Sequence, residues 1–326
     1  MALLIGVGRY DRTAPLLDGR IRIDGVDARF VSPPPEELFA AAFDTGAFDF
    51  AELSFSNYLY LTSAGDCRYI GLPVFLSRIF RHSSIYIRSD RGIARPQDLA
   101  GRTIGVREYS MTAALVARGV LQDEFGVQAS SIQWRCGPTD SYDARPIIRM
   151  QPRGVKMELV AEGENLSDLL ERGELDGMIA YKPPKCFLAG ARNVRRLFED
   201  HAAVEQDYYK RTRIFPIMHL LGVRKDVYER QPLIVLPVMQ AFQNAKLAAT
   251  EALGSFSTLE VTLPWVGAAQ QKARDVMGAD YWPYGVQANS AAVGSIARYS
   301  FQQGLAGREL KAAELFAPAS LDWNPQ

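Results

Sequence analysis

The chain has 326 residues, of which 48% are hydrophobic and 23% are charged, a composition typical of globular proteins. Its 37 basic residues balance its 37 acidic residues, so the formal net charge is zero. This balance argues against the basic surface that binds nucleic acid or anionic membranes, and we expect neither as a partner. The length favours two domains.

The N-terminal stretch MALLIGVGRYDR combines a short apolar run with charged residues that follow at once. A secretory signal needs a longer apolar run, so we predict a first core strand and a cytoplasmic location. No apolar run approaches the ~20 residues of a membrane span. The three cysteines, Cys67, Cys136 and Cys186, have neither disulfide-framework nor metal-ligand spacing, which fits a reducing compartment.

Strand and helix patterns alternate along the chain. In chain order they are ALLIGVG (strand), PEELFAAAFDTG (helix), FDFAELSFSNYLYLT (strand, then loop or helix), RYIGLPVFL and SSIYIRS (strands), RPQDLAG (short helix), RTIGV (strand), SMTAALVARGVLQDEFG (helix), IQWRC (strand), ENLSDLLERGE (helix), LDGMIAY (strand) and PLIVLPVMQAFQNAKLAATEAL (mostly helix). This alternation predicts an α/β architecture with mainly parallel sheets.

The stretch SIYIRSDRGIARPQDLAGRTIGV couples a strand, a short helix and a second strand. It resembles the point at which the chain of a type 2 periplasmic-binding-protein fold leaves its first lobe, and RIFPIMHLLGVRKDVYER resembles the return crossing. The resemblance implies two α/β lobes, two chain crossings and a cleft between the lobes. Lobe one would comprise 1–86 and 220–326, with a helical C-terminal tail, and lobe two would comprise 87–219.

Ligands of open α/β sheets bind beyond the carboxyl ends of the strands, and this rule selects the candidate site residues. They are Arg9, Tyr10, Asp11 and Arg12 after the first strand; Glu52, Ser54, Ser56 and Asn57 after FDFAE; Arg78, Arg81 and His82 before the first crossing; Arg107, Glu108, Tyr109 and Ser110 after TIGV; and Tyr181 and Lys182 after GMIAY. The return crossing adds Phe215 and His219.

The helix that follows TIGV offers a second kind of anion site. Ser110 is the predicted N-cap, and the backbone N–H groups of Met111, Thr112 and Ala113 would face the cleft. Unpaired N–H groups at a helix start attract anions, so with Arg107 nearby we predict a seat for a carboxylate or phosphate. The alternative is an ordinary capped helix with a solvated arginine.

Two arginines and a histidine, Arg78, Arg81 and His82, fall within five positions beside the first crossing. Guanidinium groups bind carboxylates through paired hydrogen bonds, so the cluster predicts an acidic ligand. His219 lies on the return crossing, which passes beside the first in such a fold. The alternative for His82 and His219 is a hydrogen-bonded structural role at the hinge.

Four segments resemble the 4,5-dihydroxyphthalate decarboxylase family: AELSFSNYL, LPVFLSRIFRHSSIYI, DLAGRTIGVREYSMTAALVARGVLQDEFGV and WPYG. The resemblance runs from Ile5 to about Gly285. It implies conversion of 4,5-dihydroxyphthalate, an aromatic dicarboxylate, to protocatechuate and carbon dioxide in bacterial phthalate degradation. A ring hydroxyl can supply the electrons for this reaction, so we expect no cofactor and leave open whether a divalent metal assists.

The resemblance also implies roles for the candidate residues. Arg78, Arg81 and Arg107 would hold carboxylates, and His82 is the expected proton donor. The candidates for the phenol side are Glu52, Glu108 and His219. The alternatives are a solute-binding protein for a small carboxylate, or another cytosolic enzyme on the same scaffold. The apolar helical tail leaves self-association into a homo-oligomer open.

Overall fold

Two separate β-sheets organise this computed structural model, which describes residues 2–141, 143, 152–255 and 257–325. The strands in chain order are β1 (Leu3–Gly6), β2 (Ala28–Val31), β3 (Phe50–Ser54), β4 (Tyr69–Arg78), β5 (Ile85–Arg88), β6 (Thr103–Val106), β7 (Gln133–Cys136), β8 (Met157–Leu159), β9 (Gly177–Ile179), β10 (Val194–Arg196) and β11 (Ile217–Arg224). The first sheet has the order β2-β1-β3-β11-β4, and the second has the order β10-β5-β9-β6-β7-β8.

Helices surround both sheets. They are α1 (Ala14–Leu17), α2 (Pro35–Ala40), α3 (Phe55–Ala64), α4 (Thr112–Phe125), α5 (Leu166–Arg172), α6 (Lys185–Leu188), α7 (His201–Thr212), α8 (Lys225–Arg230), α9 (Val235–Leu253), α10 (Val266–Met277), α11 (Ser290–Gln302) and α12 (Ala312–Leu315). Within the described ranges, none of these helices combines the length and apolarity needed to span a bilayer.

The sheets are mixed rather than mainly parallel. β1 is parallel to β2 and β3, and β6 is parallel to β7 and β9. The antiparallel pairs involve the strands next to the crossings: β11 runs against β3 and β4, and β5 runs against β9 and β10. These two strands enter their sheets from the opposite lobe, and this reverses their direction relative to their neighbours.

The chain crosses between the sheets twice, through 79–84 and through 213–216. The predicted lobe boundaries, 86/87 and 219/220, fall inside β5 and β11. The boundaries assign the first two residues of β5 to lobe one, but these residues pair in the sheet of lobe two. They assign the first three residues of β11 to lobe two, but these residues pair in the sheet of lobe one. His219 is one of them, and it belongs to the sheet of lobe one.

The C-terminal segment of lobe one packs directly on lobe two. A Cβ atom at Gly119 of α4 would overlap the ring of Tyr299 on α11, so only glycine allows this close approach. The buried Arg118 donates from Nε to Oε1 of Gln303 at 2.6 Å, and Asp123 pairs with Arg298 at 2.6 Å. Helix α4 of lobe two, which begins at the cleft, is therefore packed against helix α11 of lobe one.

Candidate active site

A buried carboxylate, Glu52 of β3, accepts three hydrogen bonds in lobe one. Its Oε1 lies 2.7 Å from the hydroxyl of Tyr10 and 2.6 Å from Nδ1 of His219. Its Oε2 accepts the backbone N–H of Gly8 at 2.7 Å. β3 and β11 run side by side, so their pairing brings Glu52 and His219 together.

This network decides which atoms carry protons. Burial raises the pKa of Glu52, but the hydrogen bond and charge of His219, with the hydrogen bonds from Tyr10 and Gly8, lower it by more, leaving the pKa below its ordinary value. Glu52 is therefore ionised at neutral pH and can only accept. His219 must then carry a proton on Nδ1, which leaves Nε2 for a ligand. The His219 side chain is 21% exposed, whereas that of Glu52 is 2% exposed.

The Tyr10 hydroxyl stays protonated in this setting. Burial raises its pKa, and the negative charge of Glu52 raises it further. On the other side, the ring of Phe39 on α2 packs edge-on against the His219 ring, with centroids 4.9 Å apart. These neighbours fix the orientation of the imidazole.

Arg12 is held entirely by contacts within the protein. Its guanidinium lies 4.3 Å from the ring centroid of Tyr10 and 4.1 Å from that of Trp282. Its Nε and Nη2 donate to the carbonyl of Leu76, and Nη1 donates to Asp11 at 3.0 Å. It places a positive charge near the Glu52 network and braces Trp282 of the WPYG motif.

The starts of α3 and α4 meet between the lobes. The hydroxyl groups of Ser54 and Thr112 are 3.0 Å apart, and the backbone N–H of Ser56 donates to Thr112 Oγ1 at 3.1 Å. Among the described residues, the side-chain oxygens of Ser56, Asn57 and Ser110 are buried without a hydrogen-bond partner. Polar atoms from both lobes therefore converge at these two helix starts.

The predicted N-cap role of Ser110 is wrong by one position. Met111 occupies the N-cap of α4, and its side chain makes no capping hydrogen bond. Its backbone N–H donates to the carbonyl of Glu108 at 3.2 Å, which forms a tight turn before the helix. The first N–H groups of α4 have no partner within the helix, as at any helix start.

Arg107 of lobe two reaches across to lobe one. Its Nη2 lies 2.7 Å from Oε1 of Glu36, and its Nη1 donates to the Tyr181 hydroxyl at 3.2 Å and lies 3.9 Å from Asp143. Lys182 pairs with the same Asp143 at 2.7 Å. Burial lowers the pKa of Arg107, but the charge of Glu36 and its other partners raise it by more. Arg107, Tyr181 and Lys182 thus form one polar group on lobe two.

The structure gives Arg78 contacts other than the predicted ligand carboxylate. Its Nη1 donates to the carbonyl of Pro283 at 3.1 Å and its Nη2 to that of Phe215 at 2.7 Å, and burial lowers its pKa to about 9. Arg81 is also buried and donates from Nε to Sδ of Met218 at 3.3 Å, and burial lowers its pKa to about 10. Arg78 ties the first crossing to the return crossing.

His82 lies in an aromatic environment apart from the Glu52 network. Its ring packs edge-on against Phe198 at 5.4 Å and Tyr208 at 5.2 Å, and its Nδ1 lies 4.0 Å from Glu205. Burial, with the positive charge of Arg211, lowers its pKa to about 4. A neutral imidazole that is 1% exposed is a poor proton source, so this placement argues against the predicted role of His82 as proton donor.

Tyr109 also has internal contacts in place of the predicted ligand contact. Its hydroxyl donates to the carbonyl of Gln303, and its ring packs under the guanidinium of Arg118 at 3.7 Å and against Trp134 at 5.7 Å. Phe215 is half-buried and stacks on Phe80 at 4.7 Å. Both residues support neighbouring side chains.

Glu36, Phe39 and Trp282 border the site, although none of them was predicted from the sequence to be a site residue. Glu36 and Phe39 are three positions apart on α2 and so share one face of that helix. This spacing was a usable signal, but nothing in the sequence showed that α2 faces the cleft. Within the described residues, no three His, Cys, Asp or Glu side chains converge as a metal-ligand group.

The chain folds into two mixed α/β lobes joined by two crossings, and polar groups of both lobes meet between them. This architecture defines the periplasmic-binding-protein fold class. The sulphonate-binding protein SsuA of Escherichia coli has this architecture, with a TM-score of 0.54 at 15% identity, over 100% of this chain and 92% of that chain. The alkanesulfonate-binding SsuA of Xanthomonas axonopodis pv. citri, bound to MOPS, gives 0.52 at 16% identity, over 98% and 97%. At such identity the similarity shows the fold alone.

Sequence relatives are more specific, although no protein-family profile matches the chain. A 4,5-dihydroxyphthalate decarboxylase of Comamonas testosteroni is 45% identical over 323 residues, covering 99% of this chain and 98% of that protein. Another, from Pseudomonas putida, is 44% identical over 209 residues, covering 64% and 81%. The chain belongs to the 4,5-dihydroxyphthalate decarboxylase family, which confirms the resemblance seen in its sequence.

Proposed function

We propose that this chain is a cofactor-independent carboxy-lyase that converts 4,5-dihydroxyphthalate to protocatechuate and carbon dioxide. Membership of the decarboxylase family supports the reaction. One observation carries the assignment of the site: a histidine on the return crossing, partly exposed, pairs at 2.6 Å with a buried, ionised carboxylate.

The substrate itself can supply the electrons. One ring hydroxyl lies para to the departing carboxylate, and its electrons flow into the ring as a proton adds to the carbon that carries this carboxylate. The bond to the carboxylate then breaks, its electron pair returns to the ring, and aromaticity is restored as carbon dioxide leaves. The protein must hold the substrate and deliver one proton to one carbon.

His219 is the group that delivers this proton in our proposal. Glu52 accepts the hydrogen bond from Nδ1 and so holds the ring, and the proton leaves from Nε2. Tyr10 and the backbone N–H of Gly8 keep Glu52 in its charged form. A positioned acid of this kind contributes about 10²- to 10⁴-fold to a rate.

The carboxylates of the substrate would lie at the interface between the lobes. The starts of α3 and α4 meet there through the hydroxyl groups of Ser54 and Thr112, and the first N–H groups of α4 have no partner within that helix. Arg107 adds a guanidinium from lobe two. A dicarboxylate matches this arrangement because it carries two neighbouring negative charges.

The test is turnover by the purified protein. Incubation with 4,5-dihydroxyphthalate should yield protocatechuate and carbon dioxide in equal amounts. In D₂O the product should carry one deuterium, at the carbon that lost its carboxylate. Binding without turnover would favour the solute-binding alternative, and neither binding nor turnover would favour a different enzyme.

We also propose a cytoplasmic location. The three cysteines, Cys67, Cys136 and Cys186, are all unpaired and buried. Unpaired thiols are typical of proteins in a reducing compartment, and this supports the proposal.

A further inference from the structure

An ion pair joins the two lobes beside the candidate site. Arg107 of lobe two binds Glu36 of lobe one, with Nη2 and Oε1 2.7 Å apart. The Arg107 side chain is 5% exposed, whereas the Glu36 side chain is 50% exposed. The arginine is therefore fixed in the interior, and the glutamate can turn toward water.

The helix that carries Glu36 also contacts the proposed proton donor. Phe39, three positions further along α2, packs against His219. Three residues advance about 4.5 Å along a helix axis, and they lie on one face. The Arg107–Glu36 pair is therefore about one helical turn from the residue that touches the reacting imidazole.

The Glu36 carboxylate thus binds the Arg107 guanidinium, which is also suited to bind a carboxylate of the substrate. The Glu36 carboxylate and a substrate carboxylate present the same atoms to the guanidinium, and Nη2 already bonds Glu36. Because Glu36 is half-exposed, it regains hydration when it leaves. Arg107 is buried and keeps Asp143 3.9 Å from Nη1, so replacing Glu36 by a substrate carboxylate keeps an anion at Nη2 as well.

We propose that Glu36 is a counter-ion gate: it pairs with Arg107 when no substrate is bound, and one substrate carboxylate displaces it. The inference rests on the proposed function and adds a residue to it. When a substrate carboxylate replaces the Glu36 carboxylate, the Arg107 guanidinium still has a carboxylate bound to it. It also breaks a contact between the lobes each time a substrate binds.

The gate predicts that loss of the glutamate charge strengthens binding. Glu36→Gln removes the competitor, so phthalate, an unreactive dicarboxylate, should bind about fivefold more tightly, and the KM for 4,5-dihydroxyphthalate should fall by a similar factor. The kcat should not rise with it, because Glu36 touches no reacting atom. If Glu36 instead clamps the substrate, the same variant will bind phthalate more weakly.

The matched control is Glu37→Gln, the adjacent exposed residue of the same helix. It makes the same change in net charge, so a general field effect would strengthen phthalate binding equally in both variants. We expect Glu37→Gln to remain within about twofold of the wild type. Equal effects in the two variants would overturn the gate.

A double-mutant cycle makes the test specific to the pair. Arg107→Gln should weaken phthalate binding, and in that background Glu36→Gln should have no further strengthening effect. Calorimetric titration with phthalate measures binding without turnover. If the wild type turns over 4,5-dihydroxyphthalate and binds phthalate, but Glu36→Gln does not bind phthalate more tightly, the gate fails and the proposed function stands. If the wild type neither binds phthalate nor turns over substrate, both fail.

Discussion

Glu52 and His219 are 167 positions apart in the chain, yet Oε1 of one lies 2.6 Å from Nδ1 of the other. Adjacent antiparallel strands, β3 and β11, bring them together. β11 is the strand by which the chain returns to lobe one, so the path of the chain through both lobes builds this pair. The hydrogen bonds that Glu52 accepts keep it ionised despite its burial, and an ionised Glu52 requires a proton on Nδ1 of His219.

Replacement of the proposed proton donor should remove catalysis and spare binding. His219→Gln keeps a polar side chain but cannot deliver a proton at neutral pH, so kcat should fall by about 10²- to 10⁴-fold. Phthalate affinity should stay within about threefold, because the proton matters only in the transition state. Protocatechuate formation and calorimetric titration measure the two quantities.

His201→Gln is the control for this substitution, since His201 begins α7, away from the Glu52 network. It should retain wild-type turnover. Near-normal turnover in His219→Gln would remove His219 from the mechanism.

Tyr10→Phe should produce a smaller loss. It deletes one of three hydrogen bonds to Glu52 and leaves the pair with His219 in place. We expect kcat to fall by less than about tenfold, and the free energy of unfolding to fall by about 1 kcal/mol, since a buried carboxylate loses a donor. Tyr60→Phe on α3, outside this network, is the control. A loss as large as that of His219→Gln would show that Tyr10 itself takes part in the chemistry.

His82 should make the stability of the protein depend on pH. Its pKa is about 4 in the folded state and about 6.5 when unfolded, so the unfolded chain binds the proton more readily. The contribution of neutral His82 to the free energy of unfolding is therefore complete above about pH 6.5 and is lost as the pH falls toward 4. Between pH 7.5 and pH 5 this one group should cost about 2 kcal/mol.

Denaturant unfolding of the wild type and His82→Gln at both pH values measures this cost. The variant should lose less stability on acidification. Burial raises the pKa of Glu205, which acts in the opposite direction, but Glu205 is present in both proteins and its contribution largely cancels. Parallel losses in the two proteins would contradict the assignment. Retained turnover in His82→Gln at pH 7.5 would separately exclude it as proton donor.

Two glycine substitutions should have opposite effects on stability. Gly119→Ala places a Cβ against the ring of Tyr299 and should lower the free energy of unfolding by about 1–3 kcal/mol. Gly294→Ala lies on α11, where an added Cβ meets no atom within 4 Å, and it should raise the free energy of unfolding by up to about 1 kcal/mol. Denaturant unfolding compares both with the wild type. Equal effects would mean that α4 and α11 are not closely packed in solution.

The sequence predicted the α/β lobes and several residues that meet in the site. Strand periodicity with the rule of carboxyl ends selected Glu52, Ser54 and Arg107, and the resemblance to a return crossing added His219. The first three residues follow from local pattern, because each lies at or near the end of a strand. The fold then places all such ends at one interface.

The partners of these residues could not be read from local pattern. Arg78 was predicted to bind a ligand, but its Nη1 and Nη2 donate to the carbonyl oxygens of Pro283 and Phe215. The α4 helix is buried at every residue from Thr112 to Leu121 because α11 covers its other side, and no local pattern shows that α11 packs there. Both outcomes depend on segments more than 100 positions away.

The contact of Gly119 with Tyr299, and of Arg118 with Gln303, has a consequence for how such proteins diversify. A recombination event that exchanged lobe two at the crossings would bring in a new α4 but retain the old α11. Unless both sides of that contact matched, the hybrid would inherit a clash or an unpaired buried arginine. In this chain, the segment that could be exchanged without disturbing that contact is therefore lobe two together with α11.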